Sequence, residues 1–216
     1  EMNHIILAAK ASGITSWVRV QSNPWVGGEA NLQVAVDAAR AFSIGAEVVQ
    51  VSVASLKQVE ALLEVAKDWH RSGTGQYPAT SAEYAEHVKR VSREAWMIPS
   101  IETLTALREI EQIIALKGLK AIFIACTDMA EQLGHPFGYD HPEVWAAFDK
   151  VVAMARSRDI VVVANTGYVY NTRETIAERV KKLYDHGARI VMIQGIEFLM
   201  ENFCRDMLQN VRGRIT

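Results

Sequence analysis

The chain has 216 residues, 50% of them apolar and 22% charged, and carries a formal net charge of −2. That balance excludes a disordered polymer and supplies no basic tract for nucleic acid or an anionic membrane surface. The length suffices for one domain spanning residues 1–216 with a sizeable core.

Met2 to Ala11 has the spacing of a helix tail, stopped at Ser12-Gly13, and Thr15 to Val20 (T-S-W-V-R-V) reads as a short strand. After the Asn-Pro and Gly-Gly punctuation of the loop Gln21 to Gly28, a helix is expected over Glu29 to Phe42 and a strand over Ala46 to Val53. A helix over Ser55 to Trp69, a Gly/Ser/Thr-rich loop over His70 to Thr80 and a helix over Ser81 to Ser92 follow. Ala95 to Ile101 and Leu119 to Ala125 are apolar strand-like runs flanking a segment of helical periodicity.

The loop Glu131 to His141 is rich in Gly and Pro, and Pro142 stands where a helix through Ala155 should begin. A β-branched strand over Ile160 to Ala164, a helix over Thr172 to His186 closed by Gly187, a strand over Ala188 to Gln194 and a helix over Ile196 to Val211 complete the chain. Strict alternation of six strands with helices predicts an α/β fold with a parallel sheet and right-handed crossovers. No apolar run approaches the ~20 residues needed to span a bilayer. The two cysteines, Cys126 and Cys204, have no metal-site spacing and fit a reducing compartment, so the cytoplasm is the expected location.

The strongest chemical signal lies between Trp96 and Asp128. Two adjacent strand-like runs each end in an acid, Glu102 and Asp128, and parallel α/β folds gather their chemistry at the carboxyl ends of the strands. Two acids delivered to one mouth repel unless a cation lies between them, and Mg2+ or Mn2+ suits oxygen ligands. The plainer alternative is that Glu102 starts the following helix and Asp128 caps the next turn. The six histidines lack H-x-x-x-H spacing and are expected at the surface or at helix caps, although His135 and His141 are close enough to the expected mouth to reach a substrate. Cys126 beside Asp128 reads as a small buried hydrophobe more readily than as a nucleophile.

Ile101-Glu102-Thr103, the run F-I-A-C-T-D-M-A-E-Q-L-G from Phe123 to Gly134, H-P-E-V at 141–144, G-A-R-I-V-M-I-Q-G at 187–195 and W-V-R-V at 17–20 together resemble the HpcH/HpaI aldolase family. The resemblance implies a (β/α)8 TIM barrel that makes or breaks carbon–carbon bonds beside a 2-oxo acid with the help of a divalent metal. It implies Glu102 and Asp128 as metal ligands and Arg19 as the group that holds the keto-acid oxygen and stabilises an enolate. Ser100, Ala125, Cys126 and Thr127 then fall at the substrate, and a homo-oligomer is implied, a hexamer whose subunits exchange the last helix. Arg19 has its own alternative, a barrel-lining ion-pair residue, because an arginine in an apolar strand is costly unless paired.

Two departures bear on chemistry. Ala125-Cys126-Thr127-Asp128-Met129 replaces the family's G-P-x-D-L turn, and Ser100 stands where a glutamine is common. The family's first two strands and the acid–histidine pair after the second have no counterpart, so the first two β/α units are expected to be absent from this sequence. The leading expectation is a class II pyruvate-type aldolase, a metal-dependent lyase. The alternatives are a citrate-synthase-like enzyme using oxaloacetate and an acyl-thioester, and a catalytically silent binding protein.

Overall fold

The computed structural model describes residues 2–20, 32–68, 80–167, 173–193 and 196–215. The expected loop at Gln21 to Gly28, and all but Thr80 of that at His70 to Thr80, lie outside these, as do Tyr168, Gln194 and Gly195. Six strands, β1 (Trp17–Val20), β2 (Val48–Val53), β3 (Trp96–Ile101), β4 (Ala121–Ile124), β5 (Val161–Asn165) and β6 (Ile190–Met192), form one sheet in sequence order. Every neighbouring pair is parallel. The sheet curls, so one face becomes an interior and the other carries the helices.

Period-two alternation makes the two faces chemically different. On the helix side, Val49, Val51, Met97, Ile101, Ile122, Ile124, Val162 and Ala164 join α2 (Leu32–Ser43), α3 (Leu56–Asp68) and α8 (Pro142–Arg156) in the larger core. On the interior side, Val48, Ile98, Ala121, Phe123, Ala125 and Val163 form a second cluster, with Trp17, Trp96, Val161, Ile190 and Met192 against it. Both faces of the parallel strands are therefore covered, which is why the strands read as continuous apolar runs.

The interior grades from apolar to polar along the strands. Trp17, Val48, Trp96 and Ile190 line a cavity of about 590 Å³ at the amino ends. Ser52, Ser100, Glu102 and Asn165, all buried, occupy the carboxyl-terminal half, with buried Gln50 at mid-strand. Pro99 lies in a central strand, and only Ser100 and Ile101, the residues after it, pair with β4. The missing proline N–H accounts for that short ladder.

The connections differ from expectation in two places. The helical run between β3 and β4 is broken at Glu109 into α5 (Leu104–Arg108) and α6 (Ile110–Ile114). Glu109 serves elsewhere, its carboxylate accepting from the Leu56 N–H at 2.6 Å at the start of α3. The stretch after β4 is not a plain strand end, because Cys126–Gln132 forms a short helix, α7. Asp128 thus sits in a helical first turn. At the far end of the next units, Gly187 has φ +110°, and a Cβ there would lie 2.5 Å from Val152 Cγ1, so only glycine permits this approach of α9 (Arg173–Asp185) to α8.

Candidate functional site

Glu102 lies at the carboxyl end of β3 with its side chain 6% exposed. It does not cap the following helix. That role belongs to Thr103, whose hydroxyl accepts from the Ala106 N–H at 3.0 Å and donates to the Ala54 carbonyl at 3.2 Å. Glu102 instead turns inward, where the Ser52 hydroxyl donates to Oε1 at 2.9 Å. The helix-start alternative for Glu102 fails for this reason.

Three more interior residues steady the same corner. Trp17 Nε1 donates to Gln50 Oε1 at 3.0 Å, and Gln50 Nε2 donates to the Ser100 hydroxyl at 2.9 Å. Ser100 in turn helps stabilise the ionised form of Glu102. This chain runs from β1 through β2 to β3, and locks the rotamers beneath Glu102. Gln50 and Ser52 escaped the sequence reading. The signal for them was present, since V-V-Q-V-S-V places its two polar residues on one face of a strand.

Arg19 reaches into the same corner from β1. Its Nη2 lies 3.6 Å from Glu102 Oε1, and its side chain is 46% exposed. The partner that a strand arginine needs is thus Glu102. Asp128 comes from the other side, at the third position of α7, whose N-cap is Ala125. Asp128 is an acid in the first turn of α7 and its carboxylate accepts from its own backbone N–H, so the helix-start alternative accounts for part of its placement.

Electrostatics tie the three together. Burial pushes the Glu102 carboxyl up to about 7, the nearby Asp128 charge adds to the rise, and Ser52, Arg19 and Ser100 only partly offset it. Asp128 is raised too, chiefly by burial, with Arg19 opposing. Two inward carboxyls that resist ionising on their own form an all-oxygen donor set suited to a hard divalent cation.

The residues before Asp128 divide by role. Ala125 has φ −86°, an ordinary value, so alanine in place of glycine strains nothing here. Cys126 is 1% exposed and its thiol is pushed up to about 11 by burial, which makes it an inert core residue and not a nucleophile. Thr127 Oγ1 is buried without a hydrogen-bond partner among the described residues. Thr166 and Gly167 are buried after β5, with the Thr166 N–H donating to the Met192 carbonyl at 3.0 Å. His135 and His141 stack on each other, and both bond Glu143 of α8.

A curled, six-stranded parallel sheet with helices on its outer face and acids at its carboxyl ends is the arrangement of part of a TIM-type barrel. The model of the HpcH/HpaI aldolase/citrate lyase family matches residues 2–193, and the chain belongs to that family. A hydroxypyruvate/pyruvate aldolase of Sagittula stellata is 36% identical over 63 residues, 29% of this chain and 25% of that protein. One of Pseudomonas aeruginosa is 24% identical over 129 residues, 60% of this chain and 45% of that protein. The matches thus span a quarter to about half the length of these curated relatives. Among solved structures, an HpcH/HpaI aldolase of Desulfitobacterium hafniense superposes with a TM-score of 0.76 at 21% identity, over 98% of this chain and 77% of the other. The citrate synthase SbnG gives 0.74 at 17% identity, over 100% and 79%.

Proposed function

We propose that this chain is the core of a (β/α)8-barrel lyase, acting on a 2-oxo acid through a pyruvate-type enolate. Glu102 and Asp128 hold a divalent ion, Mg2+ or Mn2+. The observation that carries this reading is the pair of carboxyls whose ionisation is suppressed by burial, that of Glu102 also by the Asp128 charge. When bound, the ion supplies Lewis-acid polarisation of the substrate carbonyl. Arg19 places a guanidinium where negative charge develops on the keto oxygen, and its planar fork can hold that oxygen and the adjacent carboxylate together. Ser52, Ser100 and Gln50 keep Glu102 aimed, and the orphan Thr127 hydroxyl orients the substrate carboxylate beside Ala125 and Cys126.

Residues 1–216 are read as one barrel domain and the assembly as a homo-oligomer. Support for self-association comes from α10 (Ile196–Ile215), which exposes Met200, Phe203, Met207, Leu208 and Val211 along its length.

The test is solvent deuterium exchange at the methyl group of pyruvate, with Mn2+ present, using the whole natural protein. Arg19→Lys should slow exchange by about 100-fold, the loss typical of removing one oxyanion donor, while the far-ultraviolet spectrum stays that of wild type. Exchange unchanged by Arg19→Lys would reduce Arg19 to an ion-pair residue. Turnover of oxaloacetate with an acyl-thioester, and none of the pyruvate exchange, would replace the aldolase reading by the citrate-synthase-like one.

A further inference from the structure

Beyond that reading, we propose that His135, His141 and Glu143 form a second cation site, separate from Glu102 and Asp128, which takes a borderline transition ion of the Zn2+ class. One ligand atom from each residue lies within 4.8 Å of the other two. His135 Nε2 and Glu143 Oε2 are 2.8 Å apart, and the two imidazole rings stack at 3.5 Å between centroids with 20° between planes. Tetrahedral zinc, with bonds of about 2.0 to 2.1 Å, needs its ligand atoms roughly 3.3 Å apart. The stack must also open, because a ligating imidazole keeps the ion in its own ring plane, and side chains that are half-buried or exposed can rotate to do so.

The backbone holds these residues together without a metal. The His135 N–H donates to the Ala130 carbonyl at 2.8 Å, which ties the first histidine to the end of α7. Two tight turns follow, with Gly138 N–H donating to the His135 carbonyl and His141 N–H donating to the Gly138 carbonyl, each at 2.7 Å. A Cβ on Gly138 would lie 2.9 Å from both the Cβ and the carbonyl oxygen of His135, so the fold-back requires glycine. Phe137 accepts a left-handed φ of +58° to complete it, an unfavourable conformation for an aromatic residue. Glu143 is fixed in the first turn of α8 behind Pro142.

Donor chemistry separates this site from the all-oxygen pair. Two imidazoles with one carboxylate favour Zn2+ over Mg2+, and three protein ligands leave a fourth position for water. Binding gives up the ring stack and the 2.8 Å His135–Glu143 hydrogen bond, and metal–ligand bonds replace both. His141 Nδ1 receives the Glu143 N–H at 3.3 Å, a long cap contact. An ion there staples the loop that leaves α7, the helix bearing Asp128, to the start of α8.

The experiment is calorimetric titration of the wild-type protein with Zn2+ in excess Mg2+, repeated with His141→Ser and Glu143→Gln. Serine keeps a capping oxygen at the start of α8, so the helix survives while the imidazole is lost. The expected result is one saturable Zn2+ site that weakens roughly 100-fold or more in each variant, since even an outer-shell partner is worth 10- to 100-fold. Co2+ should give the intense visible bands of a low-coordinate ion in wild type, and lose them in both variants. No saturable Zn2+ binding, or binding equal in wild type and both variants, overturns the site.

Discussion

Replacing Glu102 by Gln should make the metal-free protein more stable at mildly alkaline pH, although it deletes a proposed ligand. The carboxyl is raised from its ordinary 4.5 to about 7 in the fold. An acid whose pKa is raised by folding favours the folded state while protonated, below its unfolded pKa, and that contribution disappears as pH rises through its folded pKa. The window is therefore about 4.5 to 7. The shift of about 2.5, at 1.36 kcal/mol for each pKa unit, amounts to about 3 kcal/mol. Glutamine keeps an acceptor for the Ser52 hydroxyl and never ionises. Urea unfolding of both proteins in a chelator should give nearly equal stabilities at pH of about 4.5, and a Glu102→Gln advantage of about 2 to 3 kcal/mol at pH of about 8. A difference that does not grow with pH would refute the claim that Glu102 is buried against its own charge. The chelator is essential, because an ion that binds only the folded wild type adds stability of its own.

Three further outcomes follow from the geometry. Mn2+ affinity should fall about tenfold for each pH unit below 7 as the Glu102 proton competes, and Asp128→Ala should abolish binding; calorimetry across pH reads both, and a pH-independent affinity contradicts the assignment. Gly187→Ala should cost about 2 to 4 kcal/mol, from a left-handed φ combined with a Cβ only 2.5 Å from Val152 Cγ1, and an unchanged urea midpoint would show that α8 yields freely. Phe203→Asp with Met207→Asp on α10 should lower the assembly size measured by light scattering, and an unchanged mass would remove this face from any subunit contact.

The alternation of strands and helices was legible because the central strands, β2 to β5, are buried on both faces and most helices are punctuated by Gly, Pro or a change of period. Boundaries moved by only a few residues. What stayed hidden was local. Helix α7 has seven residues and an alanine at its N-cap, so neither length nor a capping residue announces it, and Asp128 reads as a strand end. The break at Glu109 was invisible for another reason, since α5 and α6 share one continuous helical period and are interrupted by a tertiary demand, the Leu56 N–H. The polar interior was legible in principle. Gln50 and Ser52 alternate with valines, but in a strand of apolar appearance their common face acquires meaning only when Glu102 is known to lie beside it.

The asymmetry of the Arg19–Glu102 pair bears on how such a corner could accept a substrate. Glu102 is nearly enclosed and is fixed from below by Ser52 and by the Trp17–Gln50–Ser100 chain, whereas Arg19 is almost half exposed. At 3.6 Å their contact is longer than a good charge-assisted hydrogen bond, and an exposed guanidinium gains little from it. An anionic ligand entering from the mouth can therefore take over Arg19 at small cost, while Glu102 keeps its hydroxyl donor and its orientation. That asymmetry accords with the proposed roles, a resident ion at Glu102 and a passing anion at Arg19. A structural ion pair would favour closer contact, with further hydrogen bonds to both partners, because Coulomb attraction offsets the loss of hydration only with such geometry.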